Sequence, residues 1–492
     1  MSLRIYNSQT KQKEFFVPLN PPRVGIYVCG VTVYDSCHVG HARSMIVFDT
    51  IVRYLKYKGF QVTYVRNFTD VDDKIIARSR QEGVDPFSLA ERYIQEFQSD
   101  MEALGVAVPD HEPRATRHIA EIIALIQTLI IKETAYAVDG DVFFAVEKFS
   151  EYGALSKRSL EEMQAGARIE VDPRKRHPMD FALWKKGKPG EPVWDSPWGP
   201  GRPGWHIECS AMSSRYLGET FDIHGGGKDL IFPHHENEQA QSMAATSKPL
   251  ARYWVHNGFV TIDGEKMSKS LGNFVTIQNM IGRYHPEAIR LLLLSRHYRS
   301  PLDYSDQALQ EAQSGLRRFY VLLKDLEYPE ERLQSKGKEP LTSKGIRETE
   351  TAIEHFEKNF EEAMEDDFNT AQAIGHMFEL ARHLNRLMDS VRPKDLIRMT
   401  GPFKRAIGLF QQYGRILGIL ANPPQVFLSE EQRRFLDQKG LSGETIETLI
   451  ADRNQARRVK DWTRADALRD QLKAMNIILK DSSGGTVWEI EE

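Results

Sequence analysis

Arg23-Val24-Gly25-Ile26-Tyr27-Val28-Cys29, followed shortly by His38-Val39-Gly40-His41, decides how this chain is read. The first run is short and apolar, as a buried strand is. After the tetrad, Met45, Phe48, Val52 and Leu55 step by 3, 4 and 3, the spacing of one helix face. Gly59 ends that helix, and Gln61–Val65 forms a second strand. Strand, turn, helix, strand opens an α/β domain on a Rossmann-like, doubly wound parallel sheet. Ligands of such sheets bind where strands turn into helices, which is where the tetrad lies.

His38 and His41 are three residues apart and share a face. A helix N-terminus offers N–H groups and positive potential to an anion. Imidazoles beside it can hydrogen-bond phosphate oxygens as charge develops in a transition state. Gly40 lets a nucleotide approach the backbone. Read alone, the pair equally suits two surface histidines near a turn. Far downstream comes Lys266-Met267-Ser268-Lys269-Ser270, with Gly264 and Gly272 on either side. Lys266 and Lys269 would place two cations on a loop able to close on a triphosphate. A lone basic string is more often a solvated loop, so it is the joint occurrence, in this order, that carries weight.

Working outward, helical patterns run to about residue 135. Residues 172–204 then hold seven prolines and three of the seven tryptophans, which predicts an irregular insert rather than a regular layer. α/β character returns at Phe221, and Tyr253–Ile262 reads as a strand. Beyond about residue 305 strand signals vanish. Ile374, Met377, Ala381, Leu384 and Met388 follow a cap-like Asp367-Phe368-Asn369-Thr370, as in a helical bundle, with a polar linker near 334–344. Pro423-Pro424 opens a last module, in which Ala465, Leu468, Leu472 and Met475 form a helix face. Ile477–Lys480 and Thr486–Ile490 then read as a hairpin. The expected domains are 1–115 and 205–260 as halves of a catalytic nucleotide-binding domain, with 116–204 as a connective insert. Residues 261–305 carry the lysine string and a junction, 306–422 the bundle, and 423–492 a small α+β module.

With 492 residues, 41% hydrophobic and 27% charged, the composition is that of an ordinary soluble globular protein. A net charge of −4 excludes a uniformly basic nucleic-acid coat, though not a local basic face. No signal peptide or membrane span is read. Three cysteines in so long a chain do not make a disulfide framework, and a reducing cytoplasm is the expected compartment.

The remaining chemistry clusters around two of those cysteines. Cys209 lies in Trp205-His206-Ile207-Glu208-Cys209, and Phe232-Pro233-His234-His235-Glu236-Asn237-Glu238 follows. Pro233 suits a helix start, after which His234 and Glu238 share a face. With Cys29, two thiolates, an imidazole and a carboxylate make a reasonable tetrahedral zinc shell. The spacing alone does not separate that shell from buried cysteines beside a charged helix.

Longer strings carry a resemblance. The tetrad and the KMSKS string occur in the order of class I aminoacyl-tRNA synthetases, with Val39 for isoleucine as the one departure. Tyr27-Val28-Cys29-Gly30-Val31-Thr32-Val33-Tyr34-Asp35, Gly204 through Ser210, and His224-Gly225-Gly226-Gly227-Lys228-Asp229-Leu230 resemble cysteinyl-tRNA synthetases. So do Asp180-Phe181-Ala182-Leu183-Trp184-Lys185 and Lys460-Asp461-Trp462 with Ala465-Asp466, and the likeness spans nearly the whole chain. The resemblance implies that L-cysteine is activated with ATP and Mg2+ and transferred to the terminal ribose of tRNA(Cys). It implies one Zn2+ on Cys29, Cys209, His234 and Glu238, selecting the substrate thiolate. It places His38, Gly40, His41, Gly225, Gly226, Asp229, Lys266 and Lys269 at ATP, and Gly30, Thr69 and Trp205 at cysteine. His38, His41, Lys266 and Lys269 would be the catalytic groups, and Cys37 a packing residue.

Residues 451–480 hold eight Lys/Arg against four Asp/Glu inside an acidic chain. Arg453, Arg457, Arg458, Lys460 and Arg464 surround Trp462, a mixture that suits phosphates and an unpaired base. Charge alone equally suits a solvated helix face; the resemblance assigns this end to the anticodon. A cysteine–amino-sugar ligase shares the catalytic half but has no anticodon to read. A non-catalytic RNA-binding or zinc-storage protein would have no use for the two histidines and two lysines. A zinc hydrolase suits thiolate-rich ligation poorly. The expected state is a monomer without membrane contact.

Overall fold

The computed structural model describes residues 3–160, 162, 172–266, 274–329, 337, 339–482 and 485–490. A hairpin of β1 (Arg4–Asn7) and β2 (Gln12–Phe15) precedes β3 (Arg23–Thr32), the strand predicted from its apolar run. The turn after β3 leads into α1 (Val39–Tyr57), whose Met45, Phe48, Val52 and Leu55 are buried as their spacing requires. β4 (Gln61–Thr69) pairs parallel to β3. Helices α2 (Asp73–Glu82), α3 (Pro86–Ala103) and α4 (Ile119–Ile131) follow.

Residues 172–204 depart from the sequence-based expectation. β5 (Ala135–Val138), β6 (Asp141–Phe144), β7 (Phe181–Lys186) and β8 (Gly201–Pro203) form a regular antiparallel sheet in that order. The prolines sit between strands or, at Pro203, end an edge strand, where no ladder N–H is needed. Phe181, Leu183 and Trp184 pack with Val142, Phe144 and the α4 side chains Ile122, Ile126 and Leu129. Burial of that aromatic and aliphatic surface overrides the local turn signals.

α5 (Trp205–Leu217) leads to β9 (Phe221–Gly227), then α6 (Glu236–Thr246) and β10 (Ala251–Asn257). The central sheet has the order β10-β9-β3-β4 and is parallel throughout. The single strand expected over Tyr253–Ile262 is two. It breaks at Gly258-Phe259, and β11 (Val260–Ile262) joins β12 (Glu265–Lys266) and β13 (Leu302–Tyr304) in a second sheet. α7 (Ile277–Arg283) and α8 (Pro286–Leu294) lie between those last two strands in sequence.

From Asp306 the described chain is helical: α9 (Asp306–Glu327), α10 (Ser343–Glu365), α11 (Thr370–Ser390), α12 (Thr400–Leu417), α13 (Pro424–Lys439), α14 (Gly443–Arg458) and α15 (Trp462–Ala474). A terminal hairpin, β14 (Ile477–Ser482) and β15 (Gly485–Ile490), closes it. The chain divides into two compact units, one of residues 1–306, 360–374 and 416–418, the other of the remainder. The parallel sheet and every described catalytic or metal candidate belong to the first. The second ends in a small core of Ile446, Ile450, Leu472 and Ile477. Among the described residues no helix is long and apolar enough to cross a membrane.

Candidate active site and metal centre

The tetrad forms the start of α1. His38 is the N-cap, and its Nδ1 accepts from the N–H groups of Gly40 (3.1 Å) and His41 (3.4 Å). His41 Nδ1 accepts in return from His38 N–H at 3.3 Å, a capping box built from imidazoles. Two N–H groups that a bare helix end would present to an anion are therefore satisfied by the protein itself. The rings stack at 3.7 Å. Burial lowers His38 to about 4 and His41 to about 3, so both are neutral at physiological pH. With Nδ1 accepting, each ring carries its proton on Nε2, which makes it a hydrogen-bond donor without charge.

Lys266, the first residue of the second string, ends β12; Met267 through Asn273, Lys269 included, lie outside the described residues. The chain beyond returns to the tetrad. Val39 N–H donates to Val275 O at 3.1 Å, and Ile277 N–H to Cys37 O at 3.0 Å. His38 and Thr276 form an antiparallel bridge. The segment after the lysine string thus runs beside the histidines. Cys37 is buried and its thiol is pushed up, chiefly by desolvation, as suits a packing residue.

A bulge in β3 brings Cys29 to the metal candidates, between the Val28 and Val31 registers. Gly30 has no alternative there: a Cβ would sit 1.6 Å from Asn67 O, while its N–H donates to Asn67 Oδ1 at 2.9 Å. Cys209 comes from α5. His234 comes from a short π-helical turn, Ile231–His235, rather than from a helix beginning at Pro233, and Glu238 from the first turn of α6. One ligand atom of each lies within 4.8 Å of the others, and all four residues are buried. Cys29 Sγ is 3.7 Å from Cys209 Sγ and 3.3 Å from Glu238 Oε1; His234 Nε2 is 3.0 Å from the same oxygen.

Cys29, burdened by burial and by its neighbours, keeps its proton and donates to Cys209. Burial opposes ionisation of Cys209 too, but hydrogen bonds from Cys29 and His234 prevail and hold it below the usual thiol range. Burial likewise opposes charge on His234, yet Glu238 and Cys209 raise it to about 10. Soft thiol, imidazole and carboxylate donors in this grouping fit Zn2+.

Histidines that sequence reasoning passed over surround this group. His206 Nδ1 lies 3.0 Å from His234 Nδ1 and so leaves Nε2 facing Glu238. His224 Nε2 holds Glu238 Oε2 at 2.8 Å and stacks on Trp254. His235 Nε2 lies 3.3 Å from Cys29 Sγ and Nδ1 2.8 Å from His256. Cys29, His224, His235 and Glu238 form a second possible donor group, with one thiol instead of two. The sequence signal was that His206, His224 and His235 fall inside the quoted strings, whereas His256 lies in the stretch read only as a strand.

Trp205 opens α5 and stacks on His234 at 4.2 Å. Buried Thr69, at the end of β4, donates to Glu208 Oε2 at 3.1 Å. Glu208 is itself wholly buried, and burial and then Cys209 push its carboxyl well up, so it holds a proton. A cleft of about 1160 Å³, lined by Trp205, His206, Lys185, Arg202 and Asn237, opens beside them. The glycine run has a packing reason. At Gly225 a Cβ would lie 2.3 Å from the Phe48 ring, and at Gly226 2.9 Å from His235. Asp229 is exposed, in a short turn next to Gly227.

In the last module Arg457, Arg458, Lys460, Trp462 and Arg464 are exposed, Trp462 by 58%. Arg453 is buried and grips Asp481 with both nitrogens, at 2.9 and 2.8 Å. Arg457 also pairs with Asp481, so it is less free for an outside anion than its neighbours.

The parallel sheet with a histidine-capped first helix is the fold of the class I tRNA synthetases. Residues 15–314 match the class I (C) tRNA synthetase catalytic domain, 359–421 a DALR domain, and 441–488 the cysteinyl-tRNA ligase anticodon binding domain. A methionyl-tRNA synthetase structure from Mycobacterium tuberculosis, in complex with methionyl-adenylate, has a TM-score of 0.61 at 18% identity. It covers 80% of this chain and 93% of that one, a likeness of fold. Cysteine–tRNA ligases of Geobacter metallireducens and Geotalea uraniireducens are 56% and 54% identical over 100% of this chain and of each relative. The chain belongs to the cysteine–tRNA ligase family of class I aminoacyl-tRNA synthetases. That membership implies cysteine, ATP and tRNA(Cys) as substrates.

Proposed function

We propose that this enzyme forms cysteinyl-adenylate and pyrophosphate from cysteine and ATP and then passes the aminoacyl group to the 3′-terminal ribose of tRNA(Cys). The observation that carries the reading is the meeting of Cys29, Cys209, His234 and Glu238 on the sheet whose first helix carries His38 and His41. ATP, with Mg2+, lies along the tetrad with Gly40, Gly225, Gly226 and Asp229 around it. The neutral Nε2–H groups of His38 and His41 donate to phosphate oxygens, and Lys266 and Lys269 add the positive charge that offsets the growing charge on the leaving pyrophosphate. No protein nucleophile is needed, because the substrate carboxylate attacks the α-phosphorus directly and catalysis is positioning and electrostatics.

Zn2+ held by Cys29, Cys209, His234 and Glu238 supplies a centre that prefers sulfur to a hydroxyl or a methyl group. The set with two thiols is favoured over its alternative for that reason, and His224 then restrains the outer oxygen of Glu238. A purely apolar pocket separates small side chains by only about 1–3 kcal/mol. Gly30, Thr69 and Trp205 bound the cysteine pocket, and the adjoining cleft gives room for the tRNA terminus. The C-terminal module reads the anticodon through Arg458, Lys460, Trp462 and Arg464, with Arg457 partly engaged by Asp481. The enzyme works as a cytoplasmic monomer.

The test is cysteine-dependent ATP–pyrophosphate exchange, then charging of tRNA(Cys) set against an amino sugar. Exchange followed by tRNA charging supports the reading. No exchange would leave only a binding protein, and charging of the sugar alone would reassign the acceptor.

A further inference from the structure

Two residues past His41 on α1, Arg43 is fully buried and contacts no carboxylate among the described residues. Its guanidinium is held by main-chain oxygens alone. One terminal nitrogen donates to Gly258 O (3.1 Å) and Phe259 O (2.8 Å). The other reaches Ser300 O (2.6 Å), His297 O (3.3 Å) and Tyr298 O (3.4 Å). Burying a cation without a counter-ion is costly, and the planar fork of arginine suits several fixed acceptors at once. Such an arrangement needs a reason beyond filling space.

The reason lies in where those carbonyls belong. Gly258 and Phe259 lead directly into β11, and Ser300 leads through Pro301 into β13. β11 and β13 run parallel, Val260 opposite Leu302, and β12 pairs on the far side with Thr261 opposite Lys266. One side chain on the helix of His41 thus grips both roots of the small sheet that ends in Lys266. The roots are also bonded to each other: Gly258 N–H donates to Tyr298 O (2.8 Å) and Leu302 N–H to Phe259 O (3.0 Å). A Cβ at residue 258 would lie 2.4 Å from Ser300 O, so the crossing leaves no slack. The loop is held from its other side by buried Asp367, which accepts from Tyr298 Oη and Arg299 Nε, each at 2.7 Å.

We infer that Arg43 is a positioning residue for adenylate formation: it sets the separation between His38 and His41 on α1 and the strand pair that carries Lys266. This rests on the proposed role of those residues at the triphosphate. Groups that stabilise a transition state through fixed geometry lose effect when displaced by about an ångström, by up to on the order of a hundredfold.

The experiment uses the full-length zinc-loaded enzyme and Arg43→Gln, Arg43→Lys and Gly258→Ala. Measured are kcat and both KM values in pyrophosphate exchange, zinc content, and single-turnover transfer to tRNA from preformed adenylate. Arg43→Gln should lower the exchange kcat by about tenfold or more, with the cysteine KM, zinc content and transfer rate within about twofold of the unsubstituted enzyme. Arg43→Lys, which keeps the charge with fewer donors, should recover part of the loss. If Arg43→Gln does not fold, Gly258→Ala must show the same split, because it displaces Ser300 with Arg43 intact. A normal exchange kcat in a folded Arg43→Gln or in Gly258→Ala overturns the inference. So does a fall in kcat matched by equal losses of zinc, cysteine affinity and transfer. Absence of exchange in the unsubstituted enzyme would instead refute the assigned function.

Discussion

Arg290→Met removes the cation of the most deeply buried ion pair among the described residues outside the metal group. Arg290 on α8 donates to Asp49 Oδ2 on α1 at 2.6 Å, with side chains 1% and 2% exposed. Its other nitrogens donate to Leu417 O (3.0 Å), Leu104 O (3.2 Å) and Gly105 O (3.3 Å). Gly418 has no side chain because a Cβ would meet the guanidinium carbon at 2.3 Å. Breaking a buried pair from one side costs about 3–5 kcal/mol. Asp49 would keep Arg53 Nε (2.9 Å) and the Ala107 N–H (3.0 Å), so its charge is not left bare. The lower end, about 3 kcal/mol, is therefore expected. In a unit of residues 1–306, 360–374 and 416–418, about 1.5 °C per kcal/mol applies, so its thermal midpoint should fall by ~4–5 °C. Burial alone would push the Asp49 carboxyl up, but Arg290 and Arg53 outweigh it and hold it below the usual range. Stability from a depressed carboxyl is full above its unfolded value and is lost as pH falls through the folded one. The penalty of Arg290→Met should therefore be greatest near neutrality and shrink as pH falls below about 4. Denaturation of Arg290→Met, Asp49→Asn and the double variant closes a thermodynamic cycle. A loss under about 1 kcal/mol, or single effects that simply add, would refute the reasoning.

Other expectations bear on the site and on the RNA end. Since burial lowers His38 to about 4 and His41 to about 3, the pH profile of pyrophosphate exchange should show no histidine inflection between about 5 and 8. An inflection near the ordinary histidine value that His41→Asn abolishes would contradict neutral donors. Cys209→Ser should lose zinc and discrimination against serine together; metal analysis beside exchange with each amino acid decides, and retained zinc with retained selectivity would count against the assigned ligand. Trp462→Ala should weaken tRNA charging by on the order of tenfold, about 1–3 kcal/mol of stacking, and leave exchange unchanged. Equal loss in both assays would mean that Trp462 supports the fold instead.

Much of this protein was legible along the chain because the relevant physics is local. Helix periodicity placed Met45, Phe48, Val52 and Leu55 in the core, and Ile374 through Met388 likewise. Strings long enough to be specific identified the family and the four residues whose donor atoms converge. Local signals misled where tertiary burial outweighed them. Within the proline-rich stretch, Phe181–Lys186 and Gly201–Pro203 joined an antiparallel sheet, because Phe181, Leu183 and Trp184 had an apolar layer to pack on. The strand expected over Tyr253–Ile262 broke at Gly258, where another segment's carbonyl leaves no room for a side chain.

Periodicity and the quoted motifs were enough to establish the parallel sheet and the family, and to name the side chains proposed here to act. Only the tertiary structure decided the protonation of His38 and His41, since their neutrality comes from burial and mutual capping. It alone brought in the partners of Arg43 and Arg290, whose acceptors lie up to 257 and 241 residues away, as for Ser300 and Asp49. It also supplied another purpose for Gly225, whose missing side chain makes room for Phe48. Desolvation and contact between distant segments depend on the path of the whole chain, and a one-dimensional pattern holds no record of that path.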